Sequence, residues 1–511
     1  MSGSRELLEV LFEPGSFRTW DVEVGAPPPF ADTERYRAEL ADARARSGAD
    51  EALVTGEGRV GGRRLAVVCG EFAFLAGSIG MASARRLVTA VDRATAERLP
   101  LLAVTASGGT RMQEGTPAFL RMVAISLAVH AHKRAGLPYL VYQRHPTTGG
   151  VLASWGSLGH ITLAEPGALI GFLGPRVYRA LHGERFPDGV QTAENLHAHG
   201  VVDAVLPAPR LGTSVGRFLA ILEPTPVPTV PSAPEGKDSK GAQLPVSARR
   251  PRAVGGDGGP ADSAWTSITR SRDEHRPGVR EVLGAGAVET RTVADTDGRG
   301  VLLALARFEG ISCVLVGQDR VAQSRRPLDP EALRLARRGI QLAAELGLPL
   351  VTVIDTPGAE LSARAEEDGL AREIAHCLVE FATVTVPTVS VLLGQGGGGP
   401  ALALLPADRV IAARHGWLAP LPPEGASAIV HGRPDLAAEV AATQRVTSAD
   451  LLRDGAVDAI VPEHPDAADE PVAFAGRLVA EVAATLRELT RLSASRRLAA
   501  RRERYRNLGE S

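Results

Sequence analysis

Ser107, Gly108 and Gly109 follow directly on the apolar run 101–105 and precede a helical pattern beginning near Pro117. Glycines at a strand-to-helix corner leave peptide N–H groups uncovered by any Cβ. Ahead of a helix, such donors suit an oxyanion or a phosphate. A second corner of this type stands at Gly358, after the apolar strand of LVTVIDTPGAE. Ser107 has no His-Asp partners readable from the sequence, and no side chains stand at metal-ligand spacing, so no metal is expected. Neither a GxGxxG fingerprint nor a Walker loop occupies the strand-to-helix corners. The chemistry left is backbone stabilisation of two separate oxyanions, and a thioester enolate with a second developing anion fits it.

The elements that must position these corners come in two copies. Gly108 is followed 41 residues later by Gly149 in HPTTGG, and Gly358 is followed 41 residues later by Gly399 in GQGGGG. GVVDAVLP at Gly200 returns as GAVDAIVP at Gly455, and Gly61 and Gly62 before LAVVCG find a counterpart in Gly310 before ISCVLVG. Such an offset marks an internal duplication. Buried strands without alternation, each feeding a helix, read as α/β. Helices are expected at 32–46, 84–99, 117–134, 330–346 and 367–382, with strands at 138–143 and 168–172. Near the corners, Glu114 and Glu424 read as helix-start caps, Asp355 as a turn residue, and His145 and His160 as loop or helix-face residues.

Residues 223–263 are rich in Pro, Gly and Ser and lack periodicity, so they read as a disordered linker. The expected division is therefore a leading segment 1–50, a first domain 51–222, the linker 223–263 and a second domain 264–511. The end, from about 471 to 506, is a long helical pattern with Arg-rich turns, read as a solvated face or a dimer contact. The net charge is −2, which gives no field for nucleic acid. Three scattered cysteines exclude a disulfide framework, and no apolar run is long enough to cross a membrane. A soluble, cytoplasmic protein is expected.

FLAGSIG, ASGGTRMQEG, HPTTGGV and EPGALIGFLGPRV resemble the β subunit of the bacterial acetyl-CoA carboxylase carboxyltransferase. ITRSRDEHRP, VIDTPGA, AEEDG, GQGGGGPALA and PPEGASAI resemble its α subunit. The order is β-like then α-like in one chain. The resemblance implies two tandem crotonase-like (ββα spiral) domains and carboxyl transfer from carboxybiotin to acetyl-CoA or another short acyl-CoA. It implies that Gly108 and Gly109 hold the thioester oxygen, and that Gly399 and Ala401 hold the biotin oxygen. Ser107, Gly149, Gly150, Gly358, Ala359 and Gly398 would line the substrates. Arg111, with Arg85 or Arg86, would meet CoA phosphates or form structural ion pairs. None of the three lysines, Lys133, Lys237 and Lys240, follows a methionine. A separate biotin carboxyl carrier protein and a biotin carboxylase are therefore expected partners, with at least a homodimer. Two departures stand out: the β-subunit zinc ribbon has no counterpart, and Pro400, which has no N–H, stands within the second glycine run.

Overall fold

Gly61 and Gly62, at φ +58° and +75°, close a hairpin between Leu53–Val60 and Arg63–Gly70, a backbone that two glycines adopt without strain. Glu309 and Gly310 do the same between Val301–Phe308 and Ile311–Gln318. The computed structural model describes residues 3–222, 252–253, 262–295 and 300–509. Each hairpin continues into a mainly parallel sheet. In the first half, Arg18–Thr19, Leu53–Val60, Arg63–Gly70, Leu101–Ser107, Tyr139–Thr148, Ile161–Ala164 and Ala204–Val205 lie side by side in that order. In the second, Ala287–Asp295, Val301–Phe308, Ile311–Gln318, Leu350–Thr356, Thr388–Gly397, Arg409–Ala413 and Ala459–Val461 repeat it. Ile170–Gly171 pairs with the far end of Tyr139–Thr148, and Trp417–Ala419 with the far end of Thr388–Gly397. The duplication read from glycine spacing is thus a duplication of topology, and the chain is α/β with two such domains.

The register sharpens the match. Thr105 faces Gln143 but Ser107 faces Thr147, and Ile354 faces Leu392 but Thr356 faces Gly396, so both corners carry the same bulge. Gly109 and Gly358 correspond, at φ +108° and +145°, as do Gly149 and Gly398, at +66° and +65°. The spacing is therefore 40 residues in each copy rather than 41. Gly399 corresponds to Gly150, and Pro400 to Val151.

Helices Met81–Ala96 and Gly115–Arg134 cover the first sheet, and Pro330–Leu346 and Leu370–Thr383 the second. Gly115–Arg134 is buried along almost its whole length, as a helix apolar all round must be. Helix Leu370–Thr383 packs against it from the other half, and one continuous apolar core runs through both. Gly115, at φ +58°, lies so near the Gln444 carbonyl that a Cβ would come within 2.7 Å of it.

Three expectations change. The leading segment 1–50 is part of the first domain: Leu7, Leu8 and Leu11 of helix Ser4–Leu11 join its core, and helix Glu34–Ser47 brings Tyr36 to Arg111. Most of the expected linker lies outside the described residues, but Arg252–Ala253 forms a strand beside Ala459–Ile460, and Ser263 caps helix Ala264–Ser271. The Arg-rich end is two helices, Pro471–Leu489 and Ala494–Asn507, with Ser493 capping the second. One face of the second is solvated, with Arg496, Arg502 and Arg506 exposed, and the other is buried through Arg497, Arg501 and Tyr505. Arg501, 2 % exposed, donates to Asp408 at 2.6 Å and to the carbonyls of Phe381, Ala382 and Val384.

Candidate active site

A cavity of about 1600 Å³ opens along the seam between the halves. The first half supplies Ala76, Gly108, Gly149, Gly150, Phe119 and Phe172 to its wall, and the second supplies Gly399, Leu402, Pro420 and the segment 428–431. The first glycine corner and the glycine run at Gly399 thus reach one space, whereas the corner at Gly358 does not.

The donors at the first corner differ from those expected. The Gly108 N–H donates to the Ala76 carbonyl at 2.8 Å, and the Gly109 N–H to Ser107 Oγ at 3.0 Å. Ser107 Oγ donates in turn to the Gly77 carbonyl at 2.6 Å, so Ser107 ties the turn together. These two amides are spent on building the corner, and the assignment of Gly108 and Gly109 as oxyanion donors is corrected. The unclaimed amides stand one strand over: the N–H groups of Gly150 and Val151 have no acceptor among the described residues. A Cβ on Gly150 would come within 3.0 Å of Thr110 Oγ1, and one on Gly149 within 3.2 Å of the Gly109 Cα. Glycine is therefore needed for the two turns to nest. Leu75 and Ala76 beside them hold positive φ values of 44° and 55°, strain of about 1–3 kcal/mol each stored at the cavity edge.

At the second corner, Gly398–Ala403 is a short helix with Gly398, Gly399 and Pro400 as its first three residues. Their positions have no partner inside a helix, so Pro400 breaks no hydrogen bond there, yet it removes a donor. Ala401, one residue deeper and fully buried, falls where helix geometry pairs the amide with Gly397. That leaves Gly399 as the residue on the cavity, its face against Ile374 and Phe172, which a Cβ would meet at 2.9 and 3.3 Å. The floor below is polar. Gln318 Nε2 donates to the Pro400 carbonyl at 3.0 Å, its Oε1 accepts the Asp355 N–H at 3.1 Å, and Asp355 accepts the Gln395 N–H at 3.0 Å. Burial holds the Asp355 carboxyl above its ordinary range. Gly358 and Ala359 are half exposed and do not reach the seam cavity; the Gly358 N–H is taken by Thr356 Oγ1 at 3.1 Å.

The remaining candidates are structural. Arg111 is 1 % exposed and its guanidinium is held by Glu51, the Ser78 carbonyl at 2.7 Å and Tyr36. Arg86 is bound to Asp50 and to the carbonyls of Leu53 and Val22. Glu114 accepts the Tyr36 hydroxyl at 2.6 Å and the N–H of Met81 at the start of helix Met81–Ala96; it makes no side-chain cap on the helix Gly115–Arg134 that it precedes. Glu424 pairs with Arg272, and His160 accepts the Tyr139 N–H. His145 reaches the cavity wall while its Nδ1 accepts the Leu169 N–H at 3.1 Å. Missed by the sequence reading were Val151, Phe172, Gln318 and Glu366. The two adjacent carboxylates of AEEDG, ahead of an apolar helix, were the one visible signal for Glu366.

Two duplicated α/β domains thus bring the first glycine turn and the second glycine run to one seam, where the Gly150 and Val151 N–H groups have no acceptor among the described residues, an arrangement able to hold an oxyanion. The chain belongs to the carboxyl transferase domain family, whose model matches residues 3–498. It is 56% identical over 512 residues to a probable biotin-dependent acyl-coenzyme A carboxylase beta3 subunit of Mycobacterium tuberculosis, covering 99% of this chain and 98% of that one. It is 38% identical to the acetyl-coenzyme A carboxylase carboxyl transferase subunits beta/alpha of Salinispora arenicola, covering 99% and 90%. Among solved structures it is similar to transcarboxylase 12S, crystallised as a hexamer with methylmalonyl-coenzyme A bound, at 20% identity and TM-score 0.38 over 96% and 90% of the two chains. The chemistry is that of a biotin-dependent acyl-CoA carboxyltransferase, with CoA thioesters as substrates.

Proposed function

We propose that the chain places a carboxyl group on the α carbon of acetyl-CoA, or another short acyl-CoA, to give malonyl-CoA or its homologue. The observation that supports this reading is that Gly150, with its N–H unclaimed, and Gly399 line the same cavity. The N–H groups of Gly150 and Val151 hold the thioester oxygen as it gains negative charge, which stabilises the enolate. Phe119, Leu169, Phe172 and Leu402 wall the space with apolar surface, so those hydrogen bonds act with little screening by water. Gly399, whose face a side chain would fill, fits the ureido ring of carboxybiotin. Carboxybiotin supplies the activated carboxyl group, on a carrier protein charged by a separate biotin carboxylase. The short acceptor is favoured by the acetyl-coenzyme A named for the Salinispora relative. The chain assembles at least as a homodimer, which sedimentation velocity measures.

The test is carboxyl transfer run backwards, with malonyl-CoA and free biotin or a biotinylated carrier, following loss of malonyl-CoA. Wild type turns over, and Gly150→Pro, which deletes one N–H, lowers kcat by about 100-fold while circular dichroism reports an intact fold. Full activity in that variant assigns the oxygen to other donors. An inert wild type, with methylmalonyl-CoA inert as well, overturns the reading.

A further inference from the structure

Glu366 belongs to the second half, in the helix Ala363–Glu367, yet its carboxylate serves the first. Its two oxygens accept the Phe172 N–H, at 2.7 and 2.9 Å, and Oε1 also accepts Gln191 Nε2 at 2.7 Å. Gln191 is fixed by a second bond from Nε2 to the Leu173 carbonyl at 2.8 Å and by Gly171, where a Cβ would strike its amide. The carboxylate is 7 % exposed and lies behind the cavity wall.

Phe172 is therefore bonded on both sides: its N–H donates to Glu366, and its C=O accepts the Gly149 N–H at 3.1 Å. One residue, Phe172, separates the carboxylate from the turn whose next two amides, Gly150 and Val151, have no acceptor among the described residues. On its other side, the Phe172 ring is what Gly399 packs against, so the segment Glu366 holds stands between the two turns.

We propose that Glu366 is a positioning residue for carboxyl transfer: as the carboxylate it locks residues 172–173, and through them the amides of Gly149 to Val151 and the surface facing Gly399. This rests on the assignment of Gly150 and Val151 as the thioester-oxygen donors. Burial pushes the Glu366 carboxyl up to about 7 against the pull of its donors, so protonation within the working range slackens the lock. The charged groups on the elements packed around it are engaged elsewhere. On its own helix, Arg364 meets Asp368 and Glu331, and Glu367 meets Asn195 and His199. On the neighbouring helices, Glu194 caps Gly167, Arg334 meets Glu373, and Arg372 donates to the Gly200 carbonyl.

The experiment compares wild type with Glu366→Gln in reverse transfer from pH 5.5 to 8.5, alongside thermal unfolding over pH 4 to 8.5. Wild-type kcat is expected to fall tenfold per unit below about pH 7. The glutamine variant is expected to lose at least tenfold in kcat at pH 8, to keep KM for malonyl-CoA within twofold, and to lack the limb near 7. The unfolding arm has its own sign. A carboxyl whose proton affinity folding raises contributes stability that is fully present below its unfolded value of about 4.5 and is lost as pH rises through 7. The Tm of wild type relative to the variant therefore falls between pH 4.5 and 7 and is level above. A variant with wild-type kcat at pH 8, or one that keeps the acid limb, overturns the proposal while leaving the carboxyltransferase reading standing. A Tm difference that does not move with pH overturns the titration. A wild type without turnover overturns the underlying assignment and the proposal with it.

Discussion

Pro400 occupies in the second half the place Val151 holds in the first, and the two residues differ in the one atom that matters there, an amide hydrogen. Restoring it tests what the second turn does. Pro400→Ala adds a donor beside Gly399 without altering the carbonyl that Gln318 holds, and is expected to raise the rate with biotin by tenfold or more, since an oxyanion donor is worth about 3 kcal/mol. No change means that Gly399 holds its partner alone. Arg111 makes the opposite prediction. Its guanidinium is committed to Glu51, Ser78 and Tyr36, so Arg111→Met strands a buried carboxylate and is expected to cost about 3–5 kcal/mol in urea unfolding. Its KM for malonyl-CoA, measured on the folded fraction, is expected to stay within twofold of wild type. From the sequence, Arg111 beside a glycine corner stood as a phosphate ligand or a structural ion pair, because its partner Glu51, 60 residues away, leaves no local trace.

At the scale of elements, the sequence was most legible where one periodicity ran unopposed. Helix Pro330–Leu346 matches the expectation from its Asp-Pro start to its Gly347 stop, at φ +65°. Where tertiary contacts compete, it was less so. The expected strand at 168–172 shrinks to Ile170–Gly171, because the flanking backbone is drawn to Gln191, Glu366 and the Gly149 amide. The terminal helix Ala494–Asn507 was legible in part for a related reason: Arg496, Arg502 and Arg506 are solvated as composition suggests, and only the fold reveals Asp408 and three helix-end carbonyls beneath Arg501. Arg501→Ala removes the charge opposite a carboxylate that is 2 % exposed, and is expected to cost about 3–5 kcal/mol of stability by denaturant titration.

For the whole molecule, the duplication was readable in the glycine spacing, but the seam was not, since no local pattern records which faces of two similar domains meet. That is why the sequence pointed to Gly108 and Gly109, whose amides are spent within the turn, and not to the unclaimed amides of Gly150 and Val151 one strand over. The seam is apolar and continuous, with helix Gly115–Arg134 against Leu370–Thr383 and Thr116 donating to the carbonyls of Gln444 and Leu418. Residues 3–222 and 262–509 produced as separate chains are therefore expected to be unstable alone and to form a stable 1:1 complex when co-expressed, as measured by sedimentation and circular dichroism. The floors beneath the two turns carry a further consequence. Gly70 and Ala106 lie beneath the first turn, where the second half has Gln318 and Asp355. A gene that holds a motif twice can keep one copy under constraint while the other drifts. Here one scaffold occurs twice over different floors, so the two turns present the same backbone above an apolar support in one half and a carboxyl–amide pair in the other.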